Sequence, residues 1–410
     1  MKKQILIIFL ILLIVVALQD FFVHKKKHKI QPAGSYVVML SLDGFRWDYQ
    51  NKADTPFLDS IEKHGVKATG LQPVFPSKTF PNHYSIATGL YAENHGIISN
   101  SFYVPSLKKY YSISDRQTVE DGRFYFGEPI WVTAESQGVV SASYFWVGSE
   151  AQIKGYRPKY WKIYNHTFPY YQRADSVIIW LKKPFKDRPR LVCWYLDATD
   201  TYGHKYGPDS NEIKYTISSL DSIIGYFTKK LQTLDIKDSV NFIIVSDHGM
   251  TQLDKNKTLF LNDYINKKWT DTIIGSNPFY LVYPNKKCKD SILTSLKNIK
   301  GINAWDKKDI PERYHLKQSE RVPEIVIVAQ NGWSVYLDTL HYGYSKGTHG
   351  YDNTFADMNG IFYATGPAFK QHYNVGQLYN IDIYNLITTI LKIKPAPNDG
   401  KFERISEILK

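Results

Sequence analysis

Four short segments of the sequence combine acids, histidines and glycines. They read LDGFRWD at 42–48, DTYGHKYGP at 200–208, VSDHGM at 245–250 and GTHGYDN at 347–353. Together they offer carboxylates and imidazoles at Asp43, Asp200, His204, Asp247, His248 and His349. Such mixed ligands suit zinc, or secondarily manganese, whereas magnesium prefers shells made of oxygen alone.

Six ligands exceed what one tetrahedral zinc binds and suit two metal ions. A pair of metals about 4 Å apart can clamp both the attacking and the leaving oxygens of a displacement at phosphorus. Each residue alone has a simpler explanation, since an Asp at a strand end is often a turn residue. Asp200 and His204 have the i,i+4 spacing of a helix, although Gly203 makes a loop equally compatible. The coincidence of all four segments favours metal-assisted chemistry.

A threonine precedes a short apolar stretch at 74–89, VFPSKTFPNHYSIATG. The hydroxyl of Thr79 can cap a helix N-terminus, or it can be a nucleophile placed there. An alkoxide that bridges the two metals would complete a displacement site. The residues of this segment leave both interpretations open.

Apolar segments that end in acids are expected to position these side chains. We predict strands at 36–44, 190–200 and 239–249, a helix with Thr55 as its candidate N-cap, and a helix at 211–232 capped by Asp209. Further strands are expected at 278–284, 323–329 and 359–366, with a closing helix near the C-terminus. Apolar strands that alternate with helices indicate a mostly parallel sheet covered on both faces. Sites in such sheets form beyond the carboxyl ends of the strands, where distant acids gather on one edge.

With FPSKTFPNHYSIATGLYAENHGI added to these segments, the chain resembles the ectonucleotide pyrophosphatase/phosphodiesterase family of the alkaline phosphatase superfamily. The resemblance runs from about Tyr36 to Lys392. It implies an α/β fold with an alkaline-phosphatase-like, mostly parallel central sheet, helices on both faces and an inserted cap at about 250–340. It also implies a hydrolase, a zinc-dependent phosphodiesterase or nucleotide pyrophosphatase with two Zn²⁺ per chain.

The resemblance implies two sets of metal ligands by position. One zinc would be held by Asp43, Thr79, Asp247 and His248, and the other by Asp200, His204 and His349.

The same resemblance implies roles for five residues near the nucleophile. Thr79 would attack phosphorus and form a phosphothreonine intermediate. Asn100 would bind a phosphate oxygen, and the backbone N–H of Phe80 can hold developing charge beside it. The rings of Phe80 and Tyr164 would stack on the nucleobase, and Lys78 fits the family motif as a substrate-binding residue.

Three functions are compatible with these residues. The leading hypothesis is cleavage of phosphodiester or phosphoanhydride bonds in nucleotides, which releases nucleoside 5′-monophosphates. The alternative is the same chemistry on choline-type or lipid-type phosphodiesters, because aromatic faces also bind quaternary ammonium groups. A third hypothesis is a non-catalytic exported binding domain.

The N-terminus and the composition address location and partners. An apolar run behind two lysines predicts a signal peptide or membrane anchor within residues 1–33, so the catalytic domain at 34–410 is expected to be exported. It would be periplasmic, cell-surface or secreted, and an uncleaved leader would anchor it to the membrane through residues 5–23. The net charge is +12 but is not clustered in the body, which favours a small anionic substrate over a nucleic-acid partner. Cys193 and Cys288 match no metal-binding spacing, and Cys193 is predicted to be buried.

Overall fold

The computed structural model describes residues 34–410, so the leader predicted within residues 1–33 lies outside the described residues. The strands are β1 (Tyr36–Leu42), β2 (Val66–Ala68), β3 (Leu71–Gln72), β4 (Ser101–Val104), β5 (Lys109–Ser112), β6 (Ser141–Tyr144), β7 (Tyr160–Lys162), β8 (Leu191–Leu196), β9 (Val240–Val245), β10 (Thr251–Gln252), β11 (Thr258–Phe260), β12 (Thr270–Ser276), β13 (Phe279–Pro284), β14 (Ile302–Asp306), β15 (Ile325–Ala329), β16 (Ser334–Tyr336), β17 (Gly347–Thr348), β18 (Phe362–Thr365), β19 (Tyr373–Val375) and β20 (Leu378–Tyr379).

The α-helices come between these strands in the order expected for an α/β protein. They are α1 (Pro56–His64), α2 (Thr79–Thr88), α3 (Ala92–His95), α4 (Arg116–Val119), α5 (Ile130–Ser136), α6 (Tyr170–Leu181), α7 (Ala198–Tyr206), α8 (Asn211–Leu231), α9 (Lys289–Leu296) and α10 (Ile383–Leu391). Within residues 34–410, none of the helices has the length and apolar character that crossing a bilayer requires.

The central sheet has the strand order β19-β2-β18-β9-β1-β8-β6-β7. Strand β1 pairs in parallel with both β8 and β9, and β6 pairs in parallel with β8 and β7. Strand β18 is antiparallel to both of its neighbours. The predicted mostly parallel sheet is therefore confirmed. The carboxyl ends of β9, β1 and β8 lie side by side.

Both faces of this sheet are buried, which explains why its strands are apolar throughout. Val37 and Met39 of β1 belong to one hydrophobic cluster, and Val38 and Leu40 belong to another. Helices α2, α5 and α10 contribute to the first cluster, and α1, α6 and α8 to the second. Cys193 of β8 lies in the first cluster as a free, buried thiol, as predicted.

A second sheet lies within residues 270–329. Its order is β12-β13-β15-β14, and all its pairings are antiparallel. Tyr280 and Val282 face a separate hydrophobic cluster that includes α9, whereas Phe279 and Leu281 join the cluster on the first face of the central sheet. The bounds expected for an inserted cap, about 250–340, stay a prediction.

The two predicted helix caps are replaced by other residues. Helix α8 is capped by Ser210, whose Oγ accepts from the N–H of Ile213 at 3.2 Å. The predicted cap, Asp209, accepts instead from Arg46 at 3.2 Å. Asp209 is thus attracted to a distant cation, which adjacent sequence does not reveal.

The start of α1 is stabilised by a residue from another helix. Thr55 occupies the N-cap position but makes no side-chain cap. The free N–H groups of Phe57 and Leu58 donate instead to the Asp221 carboxylate of α8, at 3.1 and 2.8 Å. These contacts join α1 to α8 on the second face of the sheet.

We predict that Asp221→Ala lowers the free energy of unfolding by about 1–2 kcal/mol, because two N–H groups at a helix start lose their acceptor. Urea denaturation measures the change. Asp235→Ala is the control, since Asp235 is exposed and forms a surface ion pair with Arg188 at 3.2 Å. Its effect should stay within roughly 0.5 kcal/mol. Equal losses in the two variants would contradict the interpretation.

Candidate active site

Carboxylates from separate segments meet where the parallel strands end. Asp43 directly follows β1, Asp247 follows β9, and Asp200 lies in the first turn of α7 after β8. Gly44 has a φ of +64°, and a Cβ placed there would lie 3.0 Å from the Cα of Asp200. The glycine therefore allows the β1 end to approach α7 closely.

Three histidines lie against these carboxylates. The Nε2 atom of His248 is 3.3 Å from Asp43 Oδ1 and 3.0 Å from Asp247 Oδ2. Asp200 Oδ1 lies 3.3 Å from His204 Nε2 and 3.4 Å from His349 Nε2. The rings of His248 and His349 stack with centroids 3.5 Å apart, which joins the two halves. The structure thus brings together all six side chains of the four segments, and Asp200 and His204 lie on one helix.

Backbone carbonyls determine which ring nitrogen of each histidine carries the proton. In all three rings Nδ1 lies 2.8 Å from a carbonyl oxygen, that of Gly347 for His204, Gly249 for His248 and Ser77 for His349. A carbonyl only accepts, so Nδ1–H donates and Nε2 of the neutral ring presents its lone pair to the carboxylates. Lone pairs that face carboxylate oxygens at 3.0–3.4 Å require a cation between them.

The carboxylates of the cluster also have oxygens that need a positive partner. Asp43 Oδ1, Asp200 Oδ1 and Asp247 Oδ2 are buried and accept no hydrogen bond from any residue of 34–410. Burial raises the pKa of Asp43, and the charges of Asp247 and Asp200 raise it further. Burial also lowers the pKa of His349 well below its usual range. Buried acceptors that repel one another in this way fit divalent metal ions, which supply the missing charge.

The ligand atoms form two groups, and within each group they lie within 4.8 Å of one another. Asp200, His248 and His349 form one, and Asp43, His83 and Asp247 the other. His248 therefore lies between the two halves rather than in one of them, and the second group includes a histidine that the sequence analysis did not select.

His83 orients its neighbours. Its Nδ1 is 3.0 Å from the carbonyl oxygen of Thr79 and 3.2 Å from Asp247 Oδ2, and its Nε2 is 2.8 Å from Ser41 Oγ. Because the carbonyl only accepts, Nδ1–H donates, and Nε2 accepts from the hydroxyl of Ser41. Both nitrogens are used, so His83 packs beside the Asp247 carboxylate and leaves metal contact to that residue. The signal in the sequence that could have identified His83 is its spacing of four residues from Thr79, which places both side chains on one face of a helix.

Thr79 is the first residue of α2, and its hydroxyl is directed into the cluster. Its Oγ1 lies 3.2 Å from His248 Nε2. The entry to the helix is held by Asn82, whose Oδ1 accepts from the N–H of Val74 at 2.7 Å and whose Nδ2 donates to the carbonyl of Lys78 at 2.8 Å. Because Asn82 makes these contacts, the Thr79 hydroxyl is not needed to cap the helix and can serve other chemistry.

Asn100 lies beside the nucleophile segment in an unexpected arrangement. Its Oδ1 accepts from the backbone N–H of Phe80 at 3.1 Å. That N–H is consequently not free for a phosphate oxygen, contrary to expectation. No partner for Asn100 Nδ2 is found among residues 34–410, so this amide group retains its donors.

A cavity of about 210 Å³ opens beside the cluster. Asp43, Thr79 and Asp200 line one end, and the predicted aromatic residues Phe80 and Tyr164 both line its walls. The exposed fraction of Tyr164 is 40%, so one ring remains open to solvent.

Lys78 does not line this cavity. Its buried ammonium group donates to the carbonyl of Asn277 at 2.9 Å and to Ser276 Oγ at 3.3 Å. Burial lowers the pKa of Lys78 to about 8. Lys78 thus joins the nucleophile segment to the second sheet, and its predicted contact with substrate has no support in this arrangement.

Three further cavity residues escaped the sequence analysis. Tyr195 donates its hydroxyl to Asp43 Oδ2 at 2.6 Å, and Arg116 forms an ion pair with Glu150. Glu150 also accepts from the backbone N–H of Tyr164 at 3.3 Å. Tyr195 belongs to an apolar strand and the other two to ordinary polar segments, so no local pattern distinguishes them.

We predict that His83→Leu lowers zinc affinity about 10–100-fold, because the Asp247 carboxylate loses the imidazole beside it and the Thr79 carbonyl loses its donor. Competition with a chromophoric chelator measures this. His95→Leu is a matched control, since His95 is also buried and pairs with a serine, Ser85, at 2.9 Å. Unchanged zinc affinity in His83→Leu would show that Asp247 does not depend on this histidine.

Comparisons with known proteins match this geometry. The family described as type I phosphodiesterase/nucleotide pyrophosphatase matches residues 37–352. A venom phosphodiesterase of Macrovipera lebetinus is 35% identical over 92% of this chain, and the match covers 45% of the venom protein. Human ectonucleotide pyrophosphatase/phosphodiesterase family member 5 is 34% identical over 93% of this chain and 79% of its own length. The chain thus spans less than half the length of the venom relative.

A solved structure agrees with these matches. An inactive threonine-to-alanine variant of murine ectonucleotide pyrophosphatase/phosphodiesterase 5, in complex with AMP, has a TM-score of 0.88 and 35% identity. The match covers 92% of this chain and 100% of that one. The alkaline-phosphatase-like fold is thereby confirmed. The chain belongs to the type I phosphodiesterase/nucleotide pyrophosphatase family.

Proposed function

We propose that this chain is a metal-dependent hydrolase that cleaves phosphodiester or phosphoanhydride bonds of nucleotides and releases nucleoside 5′-monophosphates. The observation that carries the proposal is the position of Thr79. Its hydroxyl lies 3.2 Å from His248 at the edge of three carboxylates with buried oxygens, and it lines a cavity with five aromatic side chains, Phe80 and Tyr164 among them. A hydroxyl that can react, ligands for metal ions and an aromatic cavity that can bind a planar ring thus occur together.

In this proposal Thr79 Oγ1 forms the bond to phosphorus while the bond from phosphorus to the leaving oxygen breaks. The product is a phosphothreonine ester, which water then cleaves to release the nucleoside 5′-monophosphate. The Nδ2 donors of Asn100 can hold a non-bridging phosphate oxygen, and the Phe80 N–H holds Asn100 in place. The murine relative that is inactive carries a threonine-to-alanine exchange, and among the described residues Thr79 is the only threonine lining this cavity.

The proposed cofactor is two Zn²⁺ per chain. Asp43, Asp247, His248 and Thr79 would hold one ion, with Asp200, His204 and His349 around the other. Bound there, the metals would favour the deprotonated Thr79 hydroxyl and offset charge on the phosphate oxygens. The stacked position of His248 against His349 suits a residue between two adjacent ions.

A nucleotide fits the cavity through its base and its phosphate. Phe80 and Tyr164 would place the base between aromatic walls, and Thr79 at the cavity end would face the phosphate. The murine relative was solved with AMP, which supports this class of ligand. The division into a leader (1–33), a catalytic domain (34–410) and an inserted cap, with export of the catalytic domain, is part of the same proposal.

The test compares three p-nitrophenyl esters with the zinc-loaded full chain: thymidine 5′-monophosphate, phosphorylcholine and plain phosphate. We expect the highest kcat/KM for the thymidine ester, because only it offers a base to the aromatic walls. Thr79→Ala should reduce that value by at least roughly a thousandfold, since the nucleophile is lost. Thr88→Ala, a buried threonine at the other end of α2, is the matched control and should retain activity.

Other outcomes would point elsewhere. A preference for the choline ester would keep the mechanism and transfer the substrate class to choline or lipid phosphodiesters. Full activity in Thr79→Ala would refute the nucleophile assignment. Absence of turnover with every ester would favour the binding-domain hypothesis.

Metal removal provides a separate prediction. Extraction with a strong chelator should abolish turnover and lower the thermal midpoint by several degrees, because ions that bind only the folded state stabilise it. Differential scanning calorimetry and elemental analysis measure both effects, with about two zinc ions expected per active chain. Retention of full activity after extraction would contradict the proposal.

A further inference from the structure

Arg173, on helix α6, is a buried cation that the proposed reaction does not use. Its side chain is 0% exposed, although arginine is almost never fully buried unless it is paired. The guanidinium group has five N–H donors, and it makes five hydrogen bonds. Two of them reach the end of β8, where Nη1 donates to the carbonyl oxygen of Tyr195 and to Asp197 Oδ1, both at 3.1 Å.

The other three hydrogen bonds of Arg173 reach one irregular segment. We define residues 164–168, between β7 and α6, as the wall segment. Arg173 Nε donates to the carbonyl oxygen of Phe168 at 3.0 Å, and Nη2 donates to those of His166 at 3.1 Å and Asn165 at 3.5 Å. The wall segment belongs to no strand or helix. Its carbonyl oxygens therefore lack partners in a regular ladder, and the guanidinium group satisfies them instead.

The wall segment begins with Tyr164, which lines the cavity beside Thr79. The Tyr164 ring meets the Phe145 ring edge-on with centroids 5.1 Å apart, and its centroid lies 6.3 Å from that of Tyr195. Tyr164 is also 40% exposed. A ring with this much open surface is not enclosed by close packing, so its position depends on the backbone that carries it.

Phe145 connects the guanidinium group to the same side of the cavity. It lines the cavity, and the Arg173 guanidinium carbon lies 5.0 Å from its ring centroid. Phe145 has a φ of +71°, which is rare and costly for a bulky side chain. Such a conformation persists only where the surrounding contacts determine it. Arg173 thus supports the cavity wall through the backbone of the wall segment and through the Phe145 ring.

We propose that Arg173 is a positioning residue for nucleotide binding, which holds the wall segment and Phe145 so that the Tyr164 ring faces the cavity. This inference rests on the proposed function. Arg173 itself does not line the cavity, so it would act through Tyr164. The planar fork of an arginine reaches several carbonyls at once, whereas the ammonium group of a lysine is a compact point charge. The carboxylate of Asp197 compensates the buried charge.

The test compares two diesters with the same leaving group, p-nitrophenyl thymidine 5′-monophosphate and methyl p-nitrophenyl phosphate. Each hydrolysis consumes one water and releases p-nitrophenol, but only the first ester offers a base to Tyr164. In the zinc-loaded full chain, Arg173→Lys should raise KM for the thymidine ester about tenfold, the effect of one lost base–ring stack. Its kcat for that ester, and both constants for the methyl ester, should change less than about twofold, because only uniform binding is lost.

A double variant shows whether Arg173 acts through Tyr164. Tyr164→Ala should itself raise KM for the thymidine ester about tenfold. Tyr164→Ala/Arg173→Lys should match Tyr164→Ala within about twofold, because the arginine then has no ring left to position. Independent effects that multiply to about a hundredfold would overturn the proposal.

Arg190→Lys is the matched control. Arg190 lies just before β8, at the end opposite to Asp197, and its guanidinium group also donates to backbone carbonyls, those of Ser35 at 3.2 Å and Leu391 at 3.4 Å. This substitution should alter neither ester. An equal rise in KM for both esters in Arg173→Lys, or no rise for either, would refute the positioning role.

His166 provides a second variant that removes no buried group. Its side chain is 59% exposed, and its Nδ1 lies 2.7 Å from Asp197 Oδ2. If Arg173→Lys yields no folded protein, His166→Ala decides the question. It should raise KM for the thymidine ester about threefold, the effect of one exposed ion pair, and leave the methyl ester unchanged. Unchanged KM for both esters would then overturn the proposal.

Binding without turnover separates this inference from the proposed function. Calorimetry measures the affinity of zinc-loaded Thr79→Ala protein for thymidine 5′-monophosphate and for inorganic phosphate. Adding Arg173→Lys should weaken the nucleotide about tenfold and leave phosphate unchanged, and equal weakening of both would refute the positioning role. Undiminished hydrolysis by Thr79→Ala, in contrast, would refute the proposed nucleophile, while the calorimetric comparison would still decide the role of Arg173.

Discussion

The rest of the site depends on the electrostatic repulsion among buried carboxylate oxygens and histidine lone pairs at one edge of the central sheet. Asp43, Asp200 and Asp247 each bury an oxygen that accepts no hydrogen bond within the described part of the chain, and neutral histidines add lone pairs directed at the same space. A protein tolerates such a group only if cations compensate it. The parallel order of β9, β1 and β8 creates this convergence, because their carboxyl ends lie side by side.

A second layer of contacts holds the reactive segment against that edge. His83 connects the Thr79 carbonyl to Asp247, and the Ser77 carbonyl accepts from His349. Asn82 holds the entry to helix α2, and Lys78 joins it to the second sheet. The Thr79 hydroxyl is therefore positioned from several directions by groups that do not themselves react. Such preorganisation reduces the rearrangement needed at the moment of reaction.

The site also differs between its two sides. Asp43 and Asp247 are almost fully buried, whereas Asp200 and His204 are partly exposed to solvent. Asp200 also lines the cavity with Phe80 and Tyr164. Family membership accounts for the fold and the general chemistry. The Arg116–Glu150 pair in the cavity is a feature through which this chain's own specificity can arise.

The sequence by itself determined the parallel sheet, its main strands and the six acids and histidines at its edge, and the family resemblance pointed to Phe80 and Tyr164. Apolar runs ending in acids are local patterns, so these features can be recognised without coordinates. Only the tertiary structure decided the role of His83, the capping of α1 by Asp221, the use of the Phe80 N–H by Asn100 and the burial of Lys78. Each of these depends on a hydrogen bond between segments brought together by folding, and a partner distant along the chain leaves no local pattern beside the residue it binds.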